Sequence, residues 1–420
     1  MVPHQHAQDS LHFLEHGKAV SSYFCEARLY LQEDLVLDAL RFTGRVLGEF
    51  GRMAWSSVSA GTDGIPRSVG AINVAWINDV LSEHFPGASV ADMEILGGDS
   101  GTTERCRIGL VYAPGARPAG APDSIFVKLR PPGLTERLFG NILALGPNEV
   151  GFYRDIASDV PVRAPECYCA RDGGGEFVLV LEDLASKGAQ FRTIADPISL
   201  DEAKAVVAAL ARLHASFWEP PRLAVRFPWL RSPDHNPNAA IERFLCASAH
   251  RPTLARFPHL LPESLRRGAH QIHKKRKALE RYWADGPLTL IHGDPHLGNL
   301  YFVDAEPGFF DWQVLQRHQG IRDVAYFSVL SLDTETRRAH ERELVRLYQE
   351  TLRDGGVPNH DLDRDKAWEH YRSFSLYAYL GTSVTTSMSD LQPRYIAELG
   401  LKRAATAVDD LDALALLEAL

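Results

Sequence analysis

No uninterrupted apolar stretch in this 420-residue chain is long enough to span a bilayer, so a helical membrane protein is not expected. Cysteine is scarce: Cys25, Cys106, Cys167, Cys169 and Cys246 are scattered, odd in number, and form no Cys-x-x-Cys pair. This argues against a disulfide framework or a thiolate zinc site and fits the reduced thiols of a cytoplasmic protein. The first residues, with His4, His6 and Asp9, lack the basic start and apolar run of a secretory signal. A basic excess is missing as well. Lys and Arg number 45 against 54 acidic residues, a formal net charge of −9, so nucleic acid is not an expected partner. The one dense basic run, from His270 to Lys277, reads as the solvated face of a helix. No glycine-rich loop ends in Gly-Lys-Ser/Thr, which excludes a Walker-type nucleotide site. There is no internal repeat and no low-complexity tract.

What is present is a chain with 45% hydrophobic and 24% charged residues, enough for two or three domains. Residues 1–66 read as a helical extension. Leu29, Val36, Leu40, Leu47 and Phe50 recur at helical spacing among Glu33, Asp34, Arg41 and Glu49, and residues 61–66 form a linker. The stripe needs a partner, either the main body or a second subunit in a homodimer. Asn73 caps a short helix with Trp76, Ile77, Val80 and Leu81 on its buried side. Ala91 to Leu96 is a strand running into a turn with Gly98, Ser100 and Gly101, and Cys106 to Tyr112 alternates as the returning strand. Ser124 to Leu129 is a strand that places Lys128 among apolar neighbours, and Glu149 follows on a helix. Glu176 to Leu181 is a buried strand whose end, Glu182 to Leu184, forms a connection between lobes. Ser199 and Glu202 form a capping box ahead of Val206, Val207, Leu210 and Leu213.

The most informative stretch is Thr289 to Phe302. Two short apolar runs flank His292-Gly293-Asp294-Pro295-His296-Leu297-Gly298-Asn299, as a buried hairpin would hold a polar loop at a cleft. Gly308-Phe309-Phe310 follows and ends in Asp311-Trp312-Gln313, with Asp323-Val324-Ala325-Tyr326-Phe327 beyond. A carboxylate, an amide five residues on and a second carboxylate at the next strand end suit a reaction that needs alignment and charge neutralisation. Trp368, Tyr371, Phe374 and Tyr377 form a late aromatic stripe, read first as core packing and second as the lining of a substrate pocket.

Together, these motifs, with Leu213-His214-Ala215 and Glu149 to Tyr153, resemble the aminoglycoside phosphotransferase and choline kinase superfamily, most closely its ecdysteroid-kinase-like branch. The resemblance runs from about Pro66 to the C-terminus. It implies an α+β, two-lobed protein-kinase-like fold: a small β-rich lobe over residues 67–184 that binds nucleotide, and a larger helical lobe over 185–420 that binds substrate. The implied activity moves the γ-phosphoryl group of ATP to a hydroxyl of a small molecule. Asp294 would take or orient the hydroxyl proton, and Asn299 and Asp311 would hold Mg²⁺. Lys128, oriented by Glu149, would contact phosphates. Gly98, Ser100 and Gly101 would cover them, and the Glu182–Leu184 backbone would meet the adenine edge. Asp323 would brace the catalytic loop, as would His292 and His296.

Two departures matter. The glycine-rich turn matches the protein-kinase pattern poorly, and His-Gly-Asp replaces His-Arg-Asp with no Ala-Pro-Glu downstream, which disfavours a protein substrate. No acidic cluster in the C-terminal half suits a polycationic aminoglycoside. The rival readings are a non-catalytic kinase-like binding module and a dinuclear metallohydrolase using His292, Asp294 and His296.

Overall fold

The computed structural model describes residues 33–58, 64–218, 221–361, 363–388 and 392–420. Leu29 of the expected stripe and the front of the expected linker lie outside these. Helix Glu33–Val58 (α1) comes first. Asn73 then caps helix Val74–Ser82 (α2), its side-chain oxygen accepting the Trp76 N–H at 3.0 Å. Strands Val90–Ser100 (β1), Glu104–Tyr112 (β2), Ser124–Leu129 (β3), Cys167–Gly173 (β4) and Glu176–Glu182 (β5) build one antiparallel sheet, in the order β1-β2-β3-β5-β4. Helices Leu134–Ile142 (α3) and Leu145–Gly151 (α4) intervene between β3 and β4, and α4 runs on into a wide turn at Phe152–Ile156.

Alternation explains the layering. Cys106, Ile108 and Leu110 on β2 and Ile125, Val127 and Leu129 on β3 point to one face, where Ile77, Val80 and Leu81 of α2 seal a small core. Residues in between, among them Arg105 and Lys128, point to the opposite face, toward the cleft.

The larger lobe is mainly helical. Strand Gln190–Phe191 (β6) leads to Leu200–Ser216 (α5), whose Ser199–Glu202 capping box is formed in both directions. Pro221–Arg226 (α6), Ala239–Arg256 (α7), Glu263–Lys274 (α8) and Arg276–Ala284 (α9) lead to short strands Thr289–Ile291 (β7), Leu300–Val303 (β8), Glu306–Phe309 (β9) and Gln316–His318 (β10). Ile321–Ser331 (α10), Thr334–Asp354 (α11), Arg364–Met388 (α12) and Arg394–Asp410 (α13) complete it. One continuous core joins these helices to Val150, Phe152, Leu179 and Leu181 of the small lobe. Among the described residues no helix is long and apolar enough to cross a membrane.

Three expectations are corrected. The apolar runs around His292–Asn299 do not pair as a hairpin: β7 pairs with β10, and β8 with β9 and β6. Runs this short take whichever edge the surrounding chain presents, and the intervening loop is anchored elsewhere. Helix α1 does not lay its apolar stripe on the main body, one of the two partners expected for it, but docks by a mixed face that includes Asp38, Ala39, Phe42 and Glu49. Asp38 accepts two hydrogen bonds from Arg243 (2.7 and 3.0 Å), Arg45 donates to Asn238 (3.0 Å) and Glu49 accepts from Asn141 (3.0 Å), while Val36, Leu40 and Leu47 stay exposed. The basic run is only partly solvated, because Arg276 is buried and donates to Glu280 at 2.8 Å.

Candidate active site

Lys128 sits on β3, an inner strand of the sheet, and only 5% of it is exposed. Its Nζ donates to Glu149 Oε2 on α4 at 2.6 Å and to Asp311 Oδ1 at 2.8 Å. Three segments far apart in sequence therefore meet at one ammonium. Burial opposes the Lys128 charge, but Asp311 and Glu149 outweigh it and hold the pKa above the ordinary lysine value. The two carboxylates are not equivalent. Burial pushes Glu149 up against the pull of Lys128, and the charge of Asp311 adds to that push. Burial raises Asp311 too, yet Lys128, then Arg105, bring it below the usual carboxylate range. Asp311 is thus the firmly ionised partner, and it occupies the left-handed backbone region at φ +65°.

Nothing local in the sequence singles out Arg105. It stands opposite Lys128 in the β2–β3 register and is tied to Asp99 at 2.7 Å. The alternation of β2 was the available signal, since its polar positions line the cleft. The glycine-rich segment is more regular than expected. Gly98 and Ser100 are paired strand residues, opposite Cys106 and Glu104, and only Gly101 lies in the turn, donating to the Thr103 carbonyl at 3.0 Å.

The second cluster is the loop between β7 and β8. Asn299 Nδ2 donates to the Asp294 carboxylate (2.9 Å) and to its carbonyl (3.0 Å), which turns the Asn299 carbonyl oxygen away from Asp294. Asp294 remains a quarter exposed and can meet a ligand. Asp323, fully buried, accepts the backbone N–H groups of His292 (2.7 Å) and Gly293 (3.0 Å), and His214 Nε2 lies 3.4 Å away. Gly293 has φ +90°, and a Cβ there would run into the Val314 carbonyl, so the turn requires glycine. His292 joins the two clusters. Its Nε2–H donates to the Phe310 carbonyl (3.0 Å) and its Nδ1 accepts the Asp294 N–H (3.3 Å), while burial holds its pKa down and keeps the ring neutral. The Phe310 N–H reaches the Asn299 carbonyl at 3.2 Å, so Asn299 and Asp311 flank one strand crossing. Asn148 on α4 then donates to the Gln313 and Leu315 carbonyls (2.8 and 3.1 Å), pinning the segment after Asp311.

Glu182 and Leu184 lie apart from these clusters. Leu179, which faces Lys128, is three residues before Glu182, or about 10 Å along the strand. Asp183 between them is locked by Arg107 (2.8 Å) and Ser124 (2.6 Å), another contact invisible in the sequence. The metallohydrolase alternative is not supported. His292 has both nitrogens engaged with backbone, His296 Nδ1 caps Gly298 at 3.0 Å, and among the described residues no group of three His, Cys, Asp or Glu could hold a metal.

A buried lysine held by two carboxylates thus lies beside a loop presenting a third carboxylate and an amide, in a two-lobed, kinase-like fold. The chain belongs to the phosphotransferase enzyme family, whose model matches residues 120–368. No curated protein matches the chain. Among solved structures it is similar to a choline/ethanolamine kinase family protein from Mesorhizobium loti (14% identity, 82% of this chain and 100% of that one, TM-score 0.45). It is also similar to choline kinase LicA from Streptococcus pneumoniae (16%, 80% and 98%, 0.44). A third is the GDP complex of aminoglycoside 2'-phosphotransferase-IIIa (14%, 80% and 99%, 0.44).

Proposed function

We propose that the protein transfers the γ-phosphoryl group of ATP to a hydroxyl of a small molecule. The observation that carries this reading is the convergence of Glu149 and Asp311 on Lys128, next to an Asp294 that Asn299 orients. Phosphoryl transfer asks little covalent chemistry of a protein; it asks for in-line positioning and for cations where negative charge spreads. Lys128 supplies a fixed cation on the phosphate side of the cleft. Asp294 is the one carboxylate of the loop free to accept the proton of an acceptor hydroxyl, and the Asn299 amide keeps its carboxylate aimed. Asp323 holds the loop backbone and stays out of the reaction.

The donor set around Asp311 suits Mg²⁺. The Asp311 carboxylate and the Asn299 side-chain oxygen are hard ligands, and the Asn299 nitrogen is already committed to Asp294. Bound there, the ion would neutralise phosphate oxygens. The Glu182–Leu184 connection would take the nucleobase, and Gly98, Ser100 and Gly101 would lie over the phosphates. The reading is tested by ADP release from Mg-ATP across a panel of hydroxylated compounds, with Lys128→Met as control. That variant should keep its circular dichroism and lose on the order of 10²–10³ in kcat/KM for ATP. Wild-type kinetics in the folded variant would refute the assignment.

A further inference from the structure

Beside Asp294, on the acceptor side, the charges are of the unexpected sign. Arg322 precedes Asp323 on α10 and is only 4% exposed. Among the described residues its guanidinium has no carboxylate partner. It lies 3.8 Å from the ring centroid of Tyr377 on α12, and its Nε is buried without a hydrogen bond. Arg231, between α6 and α7, is 8% exposed, and its only carboxylate among the described residues is Glu242 at 3.7 Å, too long for a hydrogen bond and itself part-exposed. Burial and the charge of Arg322 both press on Arg231, with Glu242 and Tyr377 opposing, so the two guanidiniums share one neighbourhood.

That neighbourhood borders the Asp294 loop. Tyr326, one turn along α10 from Arg322, and Tyr377 are both part-exposed, with ring centroids 5.8 Å apart. Tyr326 reaches the Asp294 carboxylate, and Tyr377 lies within the field of Arg322, Glu242 and Asp294. Of the aromatic stripe, Tyr371 and Phe374 are core, whereas Tyr377 belongs to this wall. Two buried guanidiniums with only the part-exposed Glu242 within ion-pair reach among the described residues are an unfavourable arrangement unless an anion completes them. A polycation brought to Asp294 would meet the opposite of what it needs.

We propose that the acceptor alcohol carries an anionic group, a carboxylate or a phosphate monoester, which Arg322 and Arg231 seat while Tyr326 and Tyr377 wall the path to Asp294. This rests on the phosphotransferase reading and narrows its substrate class. Bidentate oxyanions match the planar guanidinium fork, and the Arg322–Tyr377 stacking holds that fork ready.

The test has two readouts. In the first, 3-hydroxybutyrate, glycerol 3-phosphate, glycerol and kanamycin are titrated calorimetrically into the full chain without nucleotide. The second follows ADP release from Mg-ATP with the same four compounds. At least one anionic probe should bind and be phosphorylated, with kcat/KM at least roughly tenfold above glycerol and kanamycin. Carboxylate and phosphate sources are told apart by which of the two anions is preferred. Arg322→Met should raise KM for that anion by roughly 10²-fold, with little change in KM for ATP. Arg322→Lys, which keeps the charge, should recover part of the loss. Arg231→Met provides a second, independent removal of charge. The proposal is overturned if neither anion binds, if glycerol or kanamycin is preferred, or if both Met variants, folded, bind the anion as wild type does. Absence of Mg-ATP binding and of ADP release with every acceptor would instead sink the phosphotransferase reading, whatever the anion titration shows.

Discussion

Asp323 commits its carboxylate to the backbone of the His292–Asn299 loop and so fixes where Asp294 can be. It is fully buried and accepts two N–H groups from consecutive residues. Asp323→Ala should therefore cost about 3 kcal/mol, the scale of hydrogen bonds to a buried charge whose partners are then left unsatisfied. Urea denaturation checks this, and a change below about 0.5 kcal/mol, the range of a surface substitution, would contradict it. At this scale much of the site was legible. Asp294, Asn299, Asp311 and Asp323 fall within one short stretch whose spacing is itself the pattern, and Lys128 stands out as the charge on an apolar strand. Arg322 and Arg231 were not legible, because nothing local marks them and only tertiary packing brings them together. Arg105 was half legible, since strand alternation sets its face but not its neighbour.

At the scale of elements, legibility followed how local the deciding forces are. The Asn73 cap and the Ser199–Glu202 box were readable because each is a contact across three residues. The β1–β2 hairpin was readable from a glycine-rich turn between two strand patterns. Strand pairing in the larger lobe was not. β7 and β8 are three and four residues long, so neither carries enough pattern to choose a partner. Helix α1 shows the same limit differently. Its apolar periodicity predicts the helix but not the docked face, because the Asp38–Arg243 pair and the Phe42–Phe244 stack (5.0 Å) decide that from outside the segment.

For the whole molecule, the buried histidines set the response to acid. Burial pushes His273 down to about 3 and His370 to about 4, and it also lowers His250, His292 and His318. An unfolded chain titrates its imidazoles near 6.5, so below that pH it takes up protons that the native protein refuses. Stability should therefore fall as pH drops from 7 toward 5, by up to about 1.4 kcal/mol per pH unit for a fully buried imidazole such as His292. Glu149 and Glu341, raised by burial, act in the opposite direction and are outnumbered. Urea unfolding at pH 7 and pH 5 should show a lower midpoint at pH 5; an equal or higher midpoint would contradict this.

The proposed function divides the labour between two aspartates that the fold holds on neighbouring segments. Asp294 is assigned to the acceptor hydroxyl and Asp311 to the metal-bound nucleotide. Isothermal calorimetry of the wild type, Asp294→Asn and Asp311→Asn with ATP, with and without Mg²⁺, tests this most directly. Asp294→Asn should bind Mg-ATP nearly as the wild type does, while its turnover falls by on the order of 10²–10⁴. Asp311→Asn should lose the magnesium-dependent part of nucleotide binding, because a neutral amide is a weaker ligand for a hard cation. If Asp294→Asn abolishes magnesium-dependent binding while Asp311→Asn retains it, the roles are reversed and the assignment of this site is wrong.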